Sequence, residues 1–460
     1  MPVVSARVSE SAFSALVRPL VSPIFAAFWG LSGARAGVNQ SPFWYAGSRL
    51  KRPQKSKRNQ PSGTPERWSA DGNFGLRFRT FLLLLRHEKM QLTCDRALFS
   101  SAFQTAASAV PARTPKDVLR NVYMQLSSQG VELVGTDQEV AIRFAVDGIN
   151  TTSTGETLLP TARVSSILRE LQDDQFEISV EDQTLTLKTA ASNFRLSSED
   201  PRDYPPVPEF DATDFFRVPA AVLRQIIRRT SFATDAESTR YAMGGLLIEF
   251  LDGTVTIAAT DGRRLAVASA ACESEGSPTP PEKDTVVPTR AMALLERSID
   301  NEAEYVDIAV RENDVLMRSG RCVIYSRLVE GRFPKYRDVI PASGAVTVPL
   351  TAGPFHACVR QAQIVTDEES RGVDFVFDDS LLSLASRAQD VGESKVDLPI
   401  EYNHEQICIT FDPRYVADFL KVLSPETLVN LQLTSAEHAA VLRVEESYTY
   451  VIMPLAQTGR

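Results

Sequence analysis

The sequence is poor in cysteine and poorer in histidine. Cys94, Cys272, Cys322, Cys358 and Cys408 are spread through 460 residues, and no CxxC occurs. An odd, scattered set excludes a disulfide framework and fits a reducing cytoplasm. None of the four histidines is paired with a cysteine or another histidine at ligand spacing, so no zinc site is expected. Long apolar runs are missing: stretches such as Phe81 to Leu85 fall far short of the roughly 20 residues a membrane helix needs. The glycine-rich phosphate loops, HExxH and GxSxG are missing as well. Asp378-Asp379, between Val376-Phe377 and Ser380, reads as a turn, since a two-metal site needs carboxylates converging in space. No catalytic residue, metal or cofactor is expected.

What is present is unevenly charged. The net charge of -9 divides into a basic leader and an acidic body. Residues 1–89 hold 14 Lys+Arg and 4 Asp+Glu; residues 90–460 hold 35 and 54, a net of -19. All three tryptophans, Trp29, Trp44 and Trp68, lie in the leader, with the polar run from Arg49 to Gly63. That run cannot bury enough apolar surface to fold alone. It is expected to be a disordered extension or mistranslated leader, with a nucleic-acid-binding arm as the functional alternative. Arg18 breaks the early apolar stretch, against a secretory signal. Met90 opens a strand-like run, Gln91 to Cys94.

Residues 90–460 contain one pattern three times. Val131 to Asp137 resembles Val255 to Asp261, each an alternating strand ending in Thr-Asp; Leu382 to Arg387 keeps the alternation only. A proline then opens an amphipathic helix. Pro160 precedes Val164, Ile167, Leu168 and Leu171; Pro288 precedes Met292, Leu294, Leu295 and Ile299; Pro413 precedes Tyr415, Val416, Phe419 and Leu420. An aromatic-Pro turn follows, Tyr204-Pro205 and Phe333-Pro334. A further helix opens each module, over Arg96 to Ala109, Pro219 to Thr230 and Pro354 to Val365. The expected class is α+β, with modules at 90–212, 213–342 and 343–460. Tandem modules with two-faced strands suit a curved assembly of antiparallel sheets, whose open edges need partners.

An acidic body repels DNA on average, yet Arg163, Arg169, Arg224, Arg228, Arg229, Arg360 and Lys421 lie on expected helices. Basic helix faces contact phosphates without reading sequence. Thr260-Asp261-Gly262-Arg263-Arg264-Leu265 has the Asp-Gly signal of a tight hairpin, and Gly262 could admit a peptide backbone.

The strings Thr260 to Val267, Leu328 to Tyr336 and Tyr450 to Leu455 resemble signature segments of the bacterial DNA polymerase III beta subunits, and the resemblance extends over 90–460. It implies three clamp modules per chain, each with two inner helices and outer antiparallel sheets. It also implies a ring-shaped homodimer that encircles double-stranded DNA, tethers the polymerase, and docks the clamp loader and repair factors through a short peptide motif. The peptide pocket implied by position comprises Met243, Thr260, Gly262, Leu265, Pro334, Val339, Tyr415, Val451, Ile452, Met453, Pro454 and Leu455. The DNA contacts implied include Arg113, Arg240 and Tyr241, beside the helix residues Arg163, Arg224 and Arg228. Ring closure would bring Phe194 and Leu196 against Ile364 and Val365. Arg263, Asp338, Ser370, Ala242 and Ala456 depart from the family pattern, and the first, second and last of these alter the pocket rim. The competing readings are an extended three-module scaffold and a hydrolase with scattered carboxylates.

Overall fold

The computed structural model describes residues 90–455 except 147–148, 150–152, 182, 236, 238–241, 280, 301, 342–345, 367–371 and 389–390. The basic leader, Arg240, Tyr241, Ser370 and Ala456 lie outside the described residues.

One chain path is followed three times. In the first module it runs β1 (Met90–Asp95), α1 (Arg96–Ala107), β2 (Asn121–Ser127), β3 (Gly130–Thr136), β4 (Val140–Val146), β5 (Gly155–Pro160), α2 (Thr161–Glu170), β6 (Gln175–Glu181), β7 (Thr184–Lys188) and β8 (Asn193–Ser197). The second has β9 (Phe215–Pro219), α3 (Ala220–Ser231), β10 (Gly245–Leu251), β11 (Thr254–Thr260), β12 (Arg264–Ala271), the short β13 (Glu273–Glu275), β14 (Val286–Pro288), α4 (Thr289–Ser298), β15 (Tyr305–Val310), β16 (Asp314–Ser319) and β17 (Cys322–Arg327). The third has β18 (Val346–Thr351), α5 (Ala352–Ala362), β19 (Val373–Asp378), β20 (Leu381–Ala388), β21 (Gly392–Pro399), β22 (Ile407–Phe411), α6 (Pro413–Lys421), β23 (Leu428–Leu433), β24 (Ala440–Val444) and β25 (Tyr448–Ile452). The α+β class expected from the repeat is the one the chain adopts.

Local chemistry sets where the helices begin. Asp95 caps α1 by accepting a hydrogen bond from the Leu98 amide at 2.9 Å, and Asp412 caps α6 through the Arg414 amide at 3.0 Å. Pro160, Pro219 and Pro288 close strands and launch α2, α3 and α4, where a fixed φ suits the turn into a helix. Helices of 9 to 12 residues are marginal alone. They persist by burying one face, as α3 does with Leu223, Ile226 and Ile227.

Among the described residues every strand pairing is antiparallel, and the strands form four sheets. A nine-stranded sheet has the order β13-β9-β15-β16-β17-β4-β3-β2-β5, and an eight-stranded sheet β14-β10-β11-β12-β25-β24-β23-β18. Each spans a module junction. At the first, β17 pairs with β4, Cys322 opposite Phe144 and Ile324 opposite Ile142. At the second, β25 pairs with β12, Tyr448 opposite Ala268 and Tyr450 opposite Ala266. Two four-stranded sheets, β1-β6-β7-β8 and β21-β20-β19-β22, belong to the first and third modules alone.

The modules match row by row. Starting four residues before the first helix of each, straight rows of inward side chains cross four strands. They are Leu92–Ile178–Leu187–Phe194, Phe216–Ile308–Met317–Ile324 and Val348–Leu431–Leu442–Tyr450. The other half-sheets carry Thr157–Met124–Leu133–Phe144, Ile248–Ile257–Ala268 and Ile409–Phe375–Leu384–Val396. These rows meet the helices in the core. One apolar cluster runs through modules two and three and reaches Val140 and Ile142 of β4; a second fills module one. Each fully buried large side chain, such as Phe99, Phe375 or Phe419, contributes about 1.5–3 kcal/mol.

Both aromatic-Pro turns fasten a connector to an outer sheet face. Tyr204 stacks on Tyr123 and donates a hydrogen bond to the Val134 carbonyl at 3.2 Å. Phe333 is buried beside Tyr336, whose hydroxyl donates to Glu249 at 2.5 Å.

Candidate functional site

The Thr-Asp turns are built alike in two modules. Thr260 Oγ1 donates to the Arg264 carbonyl at 2.7 Å and accepts from the Gly262 amide at 3.0 Å; Asp261 Oδ1 accepts from the Arg263 and Arg264 amides. Thr136 and Asp137 make the equivalent bonds to Val140, Gln138 and Glu139. Gly262 has φ 83°, as Gln138 has 80°. A Cβ on Gly262 would meet nothing within 4 Å, so backbone conformation rather than space favours glycine, and the surface above it is open.

This turn lies at the second junction. Leu265 is paired with Val451, and the Met453 amide donates to the Arg263 carbonyl at 2.9 Å. The Leu455 amide donates to the Thr410 carbonyl at 2.9 Å, so residues 453–455 bond to both modules. Leu265 and Val451 are 3% and 4% exposed and join an apolar cluster with Leu247, Phe333, Tyr336 and Val441. Above this floor Val339 and Met453 stand 58% and 49% exposed. Met243, Pro334, Tyr415, Pro454 and Leu455 are half-buried. Ile452 is the exception among the residues expected in the pocket wall: it is fully buried in the main core, on the face of β25 opposite to Val451. A strand alternates its side chains, so neighbouring residues cannot both face the pocket.

Arg264 belongs to the site although the sequence pattern gave it no role. Its guanidinium donates to Asp261 at 3.0 Å, to Asp418 on α6 at 2.6 Å and to the Phe232 carbonyl at 2.7 Å, and it lies 4.5 Å from the centre of the Tyr415 ring. It therefore ties the β11–β12 hairpin to the third module and holds Tyr415 in place. A cavity of about 1100 Å³ lies elsewhere, between the 282–284, 312–314 and 327–338 segments, and shares only Pro334 with the expected wall. Ala242 is buried against the 331–332 backbone.

The helices pack in pairs, α1 with α2, α3 with α4 and α5 with α6. Together they hold 11 Lys+Arg and 3 Asp+Glu, in a body whose net charge is -19. Arg163, Arg169, Arg297, Arg360, Arg414 and Lys421 are exposed, and Arg113 is exposed in the loop after α1. Arg224 and Arg228 are more committed than expected: Arg224 donates to the Ile299 carbonyl at 2.6 Å, and Arg228 is ion-paired with Glu296. Arg290 bridges modules one and two, reaching Asp137 and the Ala109 carbonyl. Burial, together with Arg360 and Lys421, lowers the pKa of His356 on α5. Among the described residues no group of three or more His, Cys, Asp or Glu is placed to hold a metal.

Comparison with known proteins accounts for nearly all of the described region. Residues 90–208 match the N-terminal domain of the DNA polymerase III beta subunit, 217–335 its central domain and 337–456 its C-terminal domain. The chain belongs to the DNA polymerase III beta-subunit family. The beta sliding clamp of Pseudomonas aeruginosa is 29% identical over 368 residues, 80% of this chain and 100% of the relative. That of Chlamydia trachomatis is 27% identical over 368 residues, 80% of this chain and 87% of the relative. The crystal structure of the P. aeruginosa beta subunit superposes with a TM-score of 0.73 at 29% identity, covering 80% of this chain and all of that one. The Bacillus subtilis polymerase sliding clamp, at 23% identity, has the same fold with a TM-score of 0.74. As a member of this family the chain functions as a DNA sliding clamp, a processivity factor. No helix among the described residues is long and apolar enough to cross a membrane.

Proposed function

We propose that two copies of this chain close head to tail into a ring around duplex DNA, with the helix pairs towards the hole and the sheets outside. The carrying observation is the pair of unmatched half-sheets. Each long sheet joins the last strand of one module to a strand of a neighbour, whereas β8 of module one and β21 of module three end in free edges. A free edge attracts strand pairing, and two such seams between two copies would close the ring. Phe232 and Ile364 each lie twelve residues past the start of their helix. Phe232 packs on Tyr450, with ring centres 5.7 Å apart. Ile364, 74% exposed, has the matching place for Phe194 of a second copy, with Val365 and Leu196 alongside.

The net positive helices would offer the phosphates weak contacts that carry no sequence information, so retention rests on topology and sliding stays easy. The seam of Thr260, Gly262, Leu265, Tyr415, Val451, Met453 and Leu455 would take apolar anchors of a short peptide from the polymerase, the clamp loader or repair factors. Module boundaries near 212 and 342 and a cytoplasmic location complete the proposal. The test of the ring is Phe194→Arg, separately from Ile364→Arg, by sedimentation with circular dichroism. Folded monomers in place of dimers are expected, and intact dimers in both variants would sink the closure proposed.

A further inference from the structure

The first helix of each module carries a different group at one matching place. Fifth in α1, α3 and α5 stand Ser100, Arg224 and His356. One turn on, ninth in each, stand Gln104, Arg228 and Arg360. The partner helices have a cation at their own ninth place, Arg169, Arg297 and Lys421. Residues four apart share a helix face. In module three Arg360 and Lys421 both act on the half-buried imidazole of His356.

Module two satisfies its two arginines internally, since Arg224 reaches the Ile299 carbonyl at 2.6 Å and Arg228 pairs with Glu296. Module three does not. Where α4 has Glu296, α6 has the buried Leu420. Asp418 is turned to Arg264, and Arg414 is paired with Asp412. β20 and β21 bring Ser386 and Ser394 to the Ala362 carbonyl of α5. Their charged residues lie on the opposite face, Arg387 paired with Glu393 and Lys395 with Asp397. β18 has no charged residue. Glu426 is exposed in the loop whose Pro425 carbonyl bonds the Gly353 amide, and it exerts no charge effect on His356. Burial, then Arg360 and Lys421, hold the His356 pKa below its ordinary 6.5. Among the described residues the imidazole thus faces two cations and no anion.

We propose that His356 is a proton-dependent DNA contact: as duplex DNA enters the ring, a phosphate among His356, Arg360 and Lys421 draws a proton from solvent onto the imidazole, so that binding takes up one proton per chain. This rests on the ring reading, in which the helix pairs face the DNA. An anion beside a histidine favours its charged form, and hydrogen bonds from imidazolium to phosphate are strong. The pKa therefore rises on binding. The added affinity is fully present below the free value and is lost as pH rises through the bound one. Each unit of rise is worth up to about tenfold in affinity. Ser100 does not titrate in this range and Arg224 stays charged, so this dependence belongs to module three alone.

The test compares the full chain with His356→Gln and His356→Lys, by anisotropy of a short fluorescent duplex at constant ionic strength. The ratio of parent to glutamine-variant affinity is expected near one at about pH 8, and to climb towards about tenfold by about pH 5.5. The other three histidines are common to all variants, so the ratio isolates this one. The lysine variant should bind more tightly than the glutamine variant at both ends, by a factor that does not change with pH. Calorimetry near about pH 6.5, in two buffers of different ionisation enthalpy, should show net proton uptake that the glutamine variant lacks. A parent-to-glutamine ratio that stays flat with pH would overturn the proposal and leave the ring standing. Unchanged affinity at both ends for Arg360→Gln with Lys421→Gln would instead mean that this helix pair does not face the DNA, against the ring reading itself.

Discussion

The guanidinium of Arg264 on β12 lies 2.6 Å from the carboxylate of Asp418 on α6, so one side chain spans the junction of modules two and three. Only 10% of that side chain is exposed. Its three hydrogen-bond acceptors, Asp261, Asp418 and the Phe232 carbonyl, would lose a charged donor together. Arg264→Ala is expected to cost about 2–4 kcal/mol in urea unfolding. It should also release Tyr415 and weaken peptide binding. Stability within 0.5 kcal/mol of the parent, on the order of a surface change, would mean that the junction does not depend on this contact.

The pocket prediction concerns residues that do little for the core. Met453 is half exposed and Leu455 half-buried. Met453→Ala with Leu455→Ala removes two apolar anchoring surfaces. The expected loss is roughly 100-fold or more in affinity for a fluorescent clamp-binding peptide, followed by anisotropy, while the dimer persists. Unchanged peptide affinity would contradict the pocket assignment.

The helix cations predict a salt slope. Arg163, Arg169, Arg360 and Lys421 are exposed on α2, α5 and α6. Changing them to glutamine should flatten the plot of log affinity against log salt for linear duplex DNA, by up to about 0.9 for each phosphate no longer neutralised. An unchanged slope would show that these helices do not face the DNA.

Burial pushes the Cys94 and Cys322 thiols up to about 12. In the native protein at pH 8 both should resist iodoacetamide, and both should react in urea, as mapped by peptide mass spectrometry. An unfolded thiol ionises near its ordinary value of 9.0 and a native one does not, so the folded state holds more protons above that point. These groups therefore make stability fall as pH rises through the interval from about 9 towards 12. Rapid labelling of either native thiol would contradict the packing around it.

Much of the fold was legible because the repeat is written in punctuation. Pro160 and Pro288 launch helices from strand ends, Pro413 sits in a capped first turn, and Tyr204 and Phe333 pin the connectors. The site was less legible. Tyr448 to Ile452 is buried at every position, on both faces of β25, so apolar pattern alone cannot say which residues face the pocket. Ile452 was expected in the wall from the family resemblance, carried over by position, and the strand pattern offered no check on it. Arg264 was overlooked for a related reason: its partners Phe232 and Asp418 are distant in sequence, and only the β12–β25 pairing brings them close.

Encirclement itself is best tested by retention on DNA. A protein spanning 90–460 would be loaded onto circular and onto linear duplex DNA, then washed at high salt. Survival on circles with loss from linear ends is the predicted result, because encirclement does not depend on charge. Equal loss from both would mean a purely electrostatic binder, and the ring would have to be abandoned.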